Sequence, residues 1–125
     1  MDHFGGLLKQ ANNNMLRHLD QFAKQYDLTG NQMAIIDFIT NHAKYEVFQR
    51  DIEHEFDIQR SITTVLLQRM EKKGLIERHT SSKDARQKAV VLTDKAVKIA
   101  SACQSYLRKE EKEFAQQFSA EERSF

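Results

Sequence analysis

The chain has 125 residues and a mass of 14.6 kDa, enough for one compact domain and too little for two ordinary cores; its 19 Lys and Arg against 18 Asp and Glu leave a formal net charge of +1. Proline is absent, glycine occurs four times and cysteine once, which excludes a loop-rich sheet protein, a disulfide scaffold and a cysteine-rich metal site. No run approaches the roughly 20 apolar residues of a membrane span, and Met1-Asp2-His3-Phe4 lacks a signal-peptide pattern, so the expectation is a cytoplasmic protein with no membrane partner.

Five helical stretches and one hairpin can be read in order. Phe4, Leu7, Leu8, Ala11, Met15, Leu19, Phe22 and Tyr26 recur every three or four residues and predict a helix from Asp2 to Tyr26. Thr29-Gly30-Asn31-Gln32 reads as a capping box that opens a second helix carrying Met33, Ile35, Ile36, Phe38 and Ile39, apolar enough to be central. A short third helix runs from Val47 to Glu55 or Phe56, with Phe48, Ile52 and Phe56 on one face and Asp57 as a break. The fourth runs from Gln59 to Lys73, with Ile62, Leu66, Leu67 and Met70 inward and Gly74 as its stop. Leu75 to His79 and Gln87 to Leu92 are β-type runs around the polar turn Thr80 to Ala85. Thr93 caps a long fifth helix whose apolar stripe includes Ala96, Val97, Ile99, Ala100, Cys103, Tyr106, Leu107, Phe114 and Phe118. Ser119-Ala120-Glu121-Glu122 is a further capping box, so a last helix is expected to begin there and to be cut off at Phe125.

Charge is unevenly placed. Residues 1–58 carry a net −4, residues 59–88 a net +5 and residues 89–125 a net 0. Clustering alone marks a solvated face as readily as a polyanion site. The order of elements adds the second argument. Two short helices joined by a tight turn, followed by a hairpin, make a winged helix-turn-helix. The fourth helix opens with Gln59-Arg60-Ser61-Ile62-Thr63-Thr64, rich in groups that meet base edges and phosphates, and no acid follows until Glu71. The hairpin tip Ser82-Lys83-Asp84-Ala85-Arg86 brings basic side chains to a second place along a duplex.

Leu28-Thr29-x-x-Gln32, Met70-Glu71-Lys72-Lys73-Gly74-Leu75-Ile76-Glu77-Arg78, Ser82-Lys83-Asp84-Ala85-Arg86 and Val91-Leu92-Thr93 resemble the MarR family of transcriptional regulators in order and spacing. The resemblance covers the chain from about Phe4 to its end; Ala96 departs from the glycine usual after Leu-Thr in that pattern. It implies a mostly α fold with a small β-hairpin wing, in which 1–27 is an N-terminal dimerisation helix, 28–93 the winged helix-turn-helix and 94–125 C-terminal dimerisation helices. It further implies a homodimeric repressor or activator on double-stranded DNA, with a pseudo-palindromic operator and a small-ligand pocket between the dimer body and the winged domains. Carried over by position, Gln59, Arg60, Ser61, Thr63, Thr64 and Gln68 face the major groove. Arg86 reaches the minor groove with Lys83 beside it, Asp84 holds Arg86 in place, and Arg78 and Lys88 meet phosphates. For Thr63 the competing reading is a place in the helix-turn-helix core.

No cofactor, metal or catalytic residue is expected. His3, His18, His42, His54 and His79 are scattered, no Ser/His/Asp or Cys/His set has a readable spacing, and no glycine-rich phosphate loop occurs. Cys103 lies on an apolar stripe with no adjacent His or Lys, which favours an inert buried thiol over a peroxide sensor. Phe22, Tyr26, Phe38, Tyr45 and Phe48 fit either a core or the lining of a pocket for a small aromatic or phenolic effector. The alternative of another class is a winged helix that docks on protein; an enzyme is the least supported.

Overall fold

The computed structural model describes residues 13–14, 17–42 and 44–123, with side chains described for all of these except 107 and 118–123. Residues 13–14 are helical, and residues 17–23 form α1, which tightens into a 3-10 turn at Lys24–Tyr26. The remainder of the helix expected from Asp2, with Phe4, Leu7, Leu8, Ala11 and Met15, lies outside the described residues. Asp27 takes the left-handed conformation (φ 59°), and Leu28 N returns to Ala23 O at 3.0 Å, closing the turn.

The capping box stands as read. Gln32 N donates to Thr29 Oγ1 (3.2 Å) and Thr29 N donates to Gln32 Oε1 (3.1 Å), opening α2 at Gly30–Asn41. Gly30 N donates to Asp20 Oδ1 at 2.6 Å, and a Cβ at this position would stand 2.6 Å from the same oxygen, so the close approach of α1 and α2 is built around a glycine. Met33, Ile35, Ile36 and Ile39 are buried, and α2 is the centre of the core.

Helix α3 spans Gln49–Phe56, two residues later than the expected start at Val47. Val47 and Phe48 are drawn out because they pair with the hairpin: Val47 O accepts from Val90 N at 2.7 Å, and Phe48 bridges Ala89. Asp51 Oδ2 then accepts from Phe48 N (2.8 Å) to begin the helix. Asp57 ends it in a left-handed conformation (φ 51°), the break expected there.

Helix α4 spans Arg60–Lys72. Its inward face is Thr63, Leu67 and Met70, with Leu66 partly buried, and the expectation for Ile62 is corrected: that side chain is 55% exposed. The rotation of the helix follows from Thr63, whose hydroxyl donates to Gln59 O at 2.9 Å and so enters the core without an unpaired polar group. An unsatisfied hydroxyl there costs about 1–3 kcal/mol. Leu75 N returns to Met70 O (2.9 Å) through Gly74 at φ 74°, the left-handed stop predicted for this helix.

Strands β1 (Ile76–Thr80) and β2 (Lys88–Leu92) form an antiparallel hairpin in the register Ile76↔Leu92 to Thr80↔Lys88. Ile76, Ala89 and Val90 are buried. Thr93 caps α5 (Asp94–Arg123), accepting from Ala96 N at 3.3 Å while its hydroxyl donates to Gly74 O at 2.6 Å. Ala96, Ile99, Ala100 and Cys103 pack α5 on α2; Val97, read as part of that stripe, is 55% exposed.

The helix expected to begin at Ser119 does not form separately. Instead α5 continues unbroken through that segment to Arg123. Ser-Ala-Glu-Glu can cap a helix but is equally compatible with continuing one, and no proline or glycine forces a break. Lys73 Nζ donates to Asp27 O (2.6 Å), and Lys95 Nζ to Lys73 O (2.9 Å), joining the end of α4 to the turn after α1 and to the start of α5.

A Cβ at Gly74 meets no atom within 4 Å, so a substitution there tests backbone conformation alone. Gly74→Ala lowers stability by about 1 kcal/mol in a denaturant titration, and Gly74→Asn by less, because Asn tolerates positive φ.

Candidate nucleic-acid interface

One face of α4 is covered by the core and the opposite one is open. Ser61, Val65, Gln68 and Lys72 follow one another along the open ridge, with Ile62 and Arg69 beside them, and all are exposed. Gln59 and Arg60, at the start of the helix, are exposed as well; the Arg60 side chain is 80% exposed, 3.8 Å from Glu53. The expected set is thereby corrected at Thr63, which is wholly buried with its hydroxyl turned to Gln59 O and cannot reach a groove. Val65, Arg69 and Lys72 were missed. The signal for them was a helical wheel centred on Thr63 rather than on Ile62.

Thr64 is half-buried at the flank of α4. Its hydroxyl donates to Arg60 O (2.9 Å) and accepts from Gln49 Nε2 (2.9 Å). Gln49 in turn accepts from Arg78 Nη1 at 3.4 Å, and Arg78 Nε pairs with Glu71 Oε1 at 2.7 Å. Expected at a phosphate, Arg78 instead holds its guanidinium between α3, α4 and β1, with 26% of the side chain exposed. It braces the angle between the open helix and the hairpin.

The hairpin tip is built from two carboxylates. Asp84 Oδ1 accepts from Arg86 N (3.0 Å) and from Arg86 Nε (3.2 Å), the positioning contact expected from the sequence. These bonds, the backbone one foremost, hold the Asp84 carboxyl below its usual range. The Arg86 side chain is nonetheless 91% exposed, so solvent screens the pair and it adds little stability. What Asp84 does is aim the arginine outward. Lys83 and Lys88 are exposed on the same hairpin.

Glu46, in the segment before α3, is the second carboxylate, and its place at the hairpin was not read from the sequence. Oε2 accepts from Ser81 Oγ, and Oε1 accepts from Ser82 N (2.8 Å) and Ser82 Oγ (3.1 Å). The Ser81 bond above all, then the Ser82 amide, lowers its pKa. Ser81 Oγ also accepts from Lys83 N (3.1 Å) and Asp84 N (3.2 Å), so one carboxylate organises the root of the whole tip.

Behind the hairpin, α2, β2 and α5 enclose an open cleft of about 750 Å³, with Ile39, Lys44, Tyr45, Val47, His79 and Gln104 on its walls. Of the five aromatic residues weighed for an effector pocket, Tyr45 lines this cleft, while Phe22, Tyr26 and Phe38 pack against the core and Phe48 lies under Arg50, 5.3 Å from its ring centre. Cys103 is wholly buried, with Sγ 3.3 Å from Met33 O, and burial pushes its thiol up to about 12. Among the described residues no group of three or more His, Cys, Asp or Glu could hold a metal ion, and no helix is long and apolar enough to cross a membrane.

The sequence pattern of the MarR family matches residues 26–87. The chain is 50% identical to the transcription regulator MarR from Oenococcus oeni PSU-1, over 89% of this chain and 83% of that one, with a TM-score of 0.86. The MepR protein of S. aureus, in a crystal structure of its DNA complex, is 25% identical over 89% of this chain and 79% of that one, with a TM-score of 0.81. A 73-residue stretch is 37% identical to the uncharacterized HTH-type transcriptional regulator YfiV of Bacillus subtilis (strain 168). That match takes in 58% of this chain and 44% of the curated relative's length, so less than half of that relative is represented.

Two outcomes follow from this geometry. Glu46→Gln leaves the helices folded but loosens the tip, read as faster amide hydrogen exchange at Ser82, Lys83 and Asp84. Because the Glu46 pKa is lowered, its contribution is present at neutral pH and disappears only as the pH falls through that lowered value; wild-type protein then exchanges like the variant. Cys103 stays unmodified by iodoacetamide at pH 8 in the folded protein and reacts fully once denaturant is added, as mass spectrometry reads directly.

Proposed function

The chain belongs to the MarR family of transcription regulators, and from that premise we propose that it is a sequence-specific repressor that binds a pseudo-palindromic double-stranded DNA site as a homodimer. The observation that carries this reading is the open face of α4. It presents Ser61, Gln68, Arg69 and Lys72 with no acidic side chain from Arg60 to Met70, and the 91%-exposed Arg86 stands at the tip of the adjoining hairpin. Such a surface suits a helix in the major groove and an arginine in the narrow, negative minor groove beside it. The likeness to S. aureus MepR, solved in complex with DNA, supports the same use of the fold.

In this reading residues 28–93 touch DNA. Gln59, Arg60, Ser61 and Gln68 enter the major groove, Arg86 enters the minor groove, and Lys83 and Lys88 meet phosphates. Thr64, Arg78 and Asp84 position these groups. Residues 1–27 and 94–125 form the dimer body, a role that suits α5, whose buried side chains, among the described residues, are gathered in its first third. Two copies place their α4 helices in major grooves about 34 Å apart on one side of the duplex. The cleft behind the hairpin takes a small aromatic or phenolic effector whose binding shifts the wing and releases the DNA. Its apolar walls, with Lys44 and Tyr45 at the edge, fit a ring bearing an acidic or hydroxyl group.

The test is selection of duplexes from a random pool by the full chain, followed by titration of the winning sequence at several salt concentrations. Affinity falls steeply as salt rises. Arg86→Ala weakens binding by about 1–3 kcal/mol without moving the thermal midpoint, and Lys88→Ala lowers the salt slope by about one while weakening all sequences alike. Unchanged affinity of Arg86→Ala for the selected duplex overturns the wing's role.

A further inference from the structure

We infer that Val65, with Ile62 beside it, reads the C5-methyl groups of thymines in the major groove, so that part of the base preference of this protein is apolar. The inference rests on the DNA-binding reading above and adds to it a recognition chemistry and two residues. Val65 is 46% exposed and Ile62 55% exposed, although both are β-branched apolar side chains on a helix whose open surface is otherwise polar or cationic.

Single exposed apolar residues are common on proteins, and position is what distinguishes these. At 100° per residue Val65 falls midway between Ser61 and Arg69, opposite Thr63 and Leu67, so it lies on the crest of the open ridge. A duplex resting on this face cannot avoid it. Ile62 lies one turn nearer the helix start, on the flank shared with Arg69. The rise from residue 62 to residue 65 is about 4.5 Å, close to the roughly 3.4 Å between base pairs, so the two side chains address neighbouring steps.

In the major groove every base edge offers donors and acceptors, and thymine alone adds a methyl group. Valine against a guanine or cytosine edge strips water from polar atoms and returns no hydrogen bond. Against thymine it buries one methyl on another. Discrimination therefore comes from both sides. A protein partner would favour a contiguous apolar patch, whereas here Arg60, Arg69 and Lys72 surround the two side chains and favour a polyanion.

The experiment uses the full chain and the duplex it selects, with each thymine replaced in turn by deoxyuridine, which removes only the methyl group. Wild-type protein loses affinity by about fourfold at one or two thymines in each half-site. Val65→Ala binds the parent duplex more weakly and no longer distinguishes thymine from deoxyuridine at one of those positions, and Ile62→Ala does so at its neighbour. Both changes are on the surface and raise helix propensity, so the variants keep the wild-type thermal midpoint. If no thymine replacement weakens the wild type, or both variants keep every methyl preference, the inference is overturned while DNA binding stands. If no duplex is selected at all, the functional reading fails and the inference falls with it.

Discussion

A hairpin of two five-residue strands buries too little to hold itself in water, so everything it offers depends on how it is fastened. Here the fastening is threefold. Val47 O takes the Val90 amide along one side, the Thr93 hydroxyl and amide seize Gly74 and Leu75 at its base, and Glu46 gathers Ser81 and Ser82 near its tip. Two of these contacts come from the segment between α2 and α3, and the third ties the joint between α4 and β1 to the start of α5. The direction in which Arg86 points is thus set by the helices and not by the strands alone.

The same logic explains why the open helix has a defined tilt. Thr63 takes a core position that a leucine or isoleucine would ordinarily fill, because its hydroxyl is satisfied one turn back within its own helix. That choice turns Ile62 outward and brings Val65 to the crest. The Thr64–Gln49–Arg78–Glu71 chain then locks the flank of α4 to α3 and β1. Arg78 contributes through geometry, and the positive charge counted along the segment overstates what faces outward. Lys73, bound to the Asp27 carbonyl, is a second cation used in this way.

Local signals were legible in the sequence because they need only neighbours. The Thr29–Gln32 capping box, the Gly74 stop, the Thr93 cap and the Asp84–Arg86 contact each involve residues at most five apart and stand where the sequence placed them, and the two strands form within one residue of the runs read for them. What was not legible depends on distant partners. Glu46 meets Ser82 across 36 positions and Gln49 meets Arg78 across 29, and nothing in the composition near either glutamate or glutamine marks it. Val47 and Phe48 read as helix because their apolar spacing suits one; pairing with β2 decides otherwise. Ile62 and Val97 show the limit of the apolar rule, since periodicity identifies a stripe but not how many degrees wide the covered part will be.

Helix α5 starts two residues after the last residue of β2 and runs for 30 residues, a rod of about 45 Å whose buried side chains, among the described residues, lie in its first third. Geometry makes such a rod a lever. A tilt of about 5° at Asp94 swings the far end by about 4 Å, and a clamp on the far end holds the near end steady by the same ratio. Spacing imposed at one extremity of the molecule is therefore communicated, demagnified, to the base of the hairpin at the other.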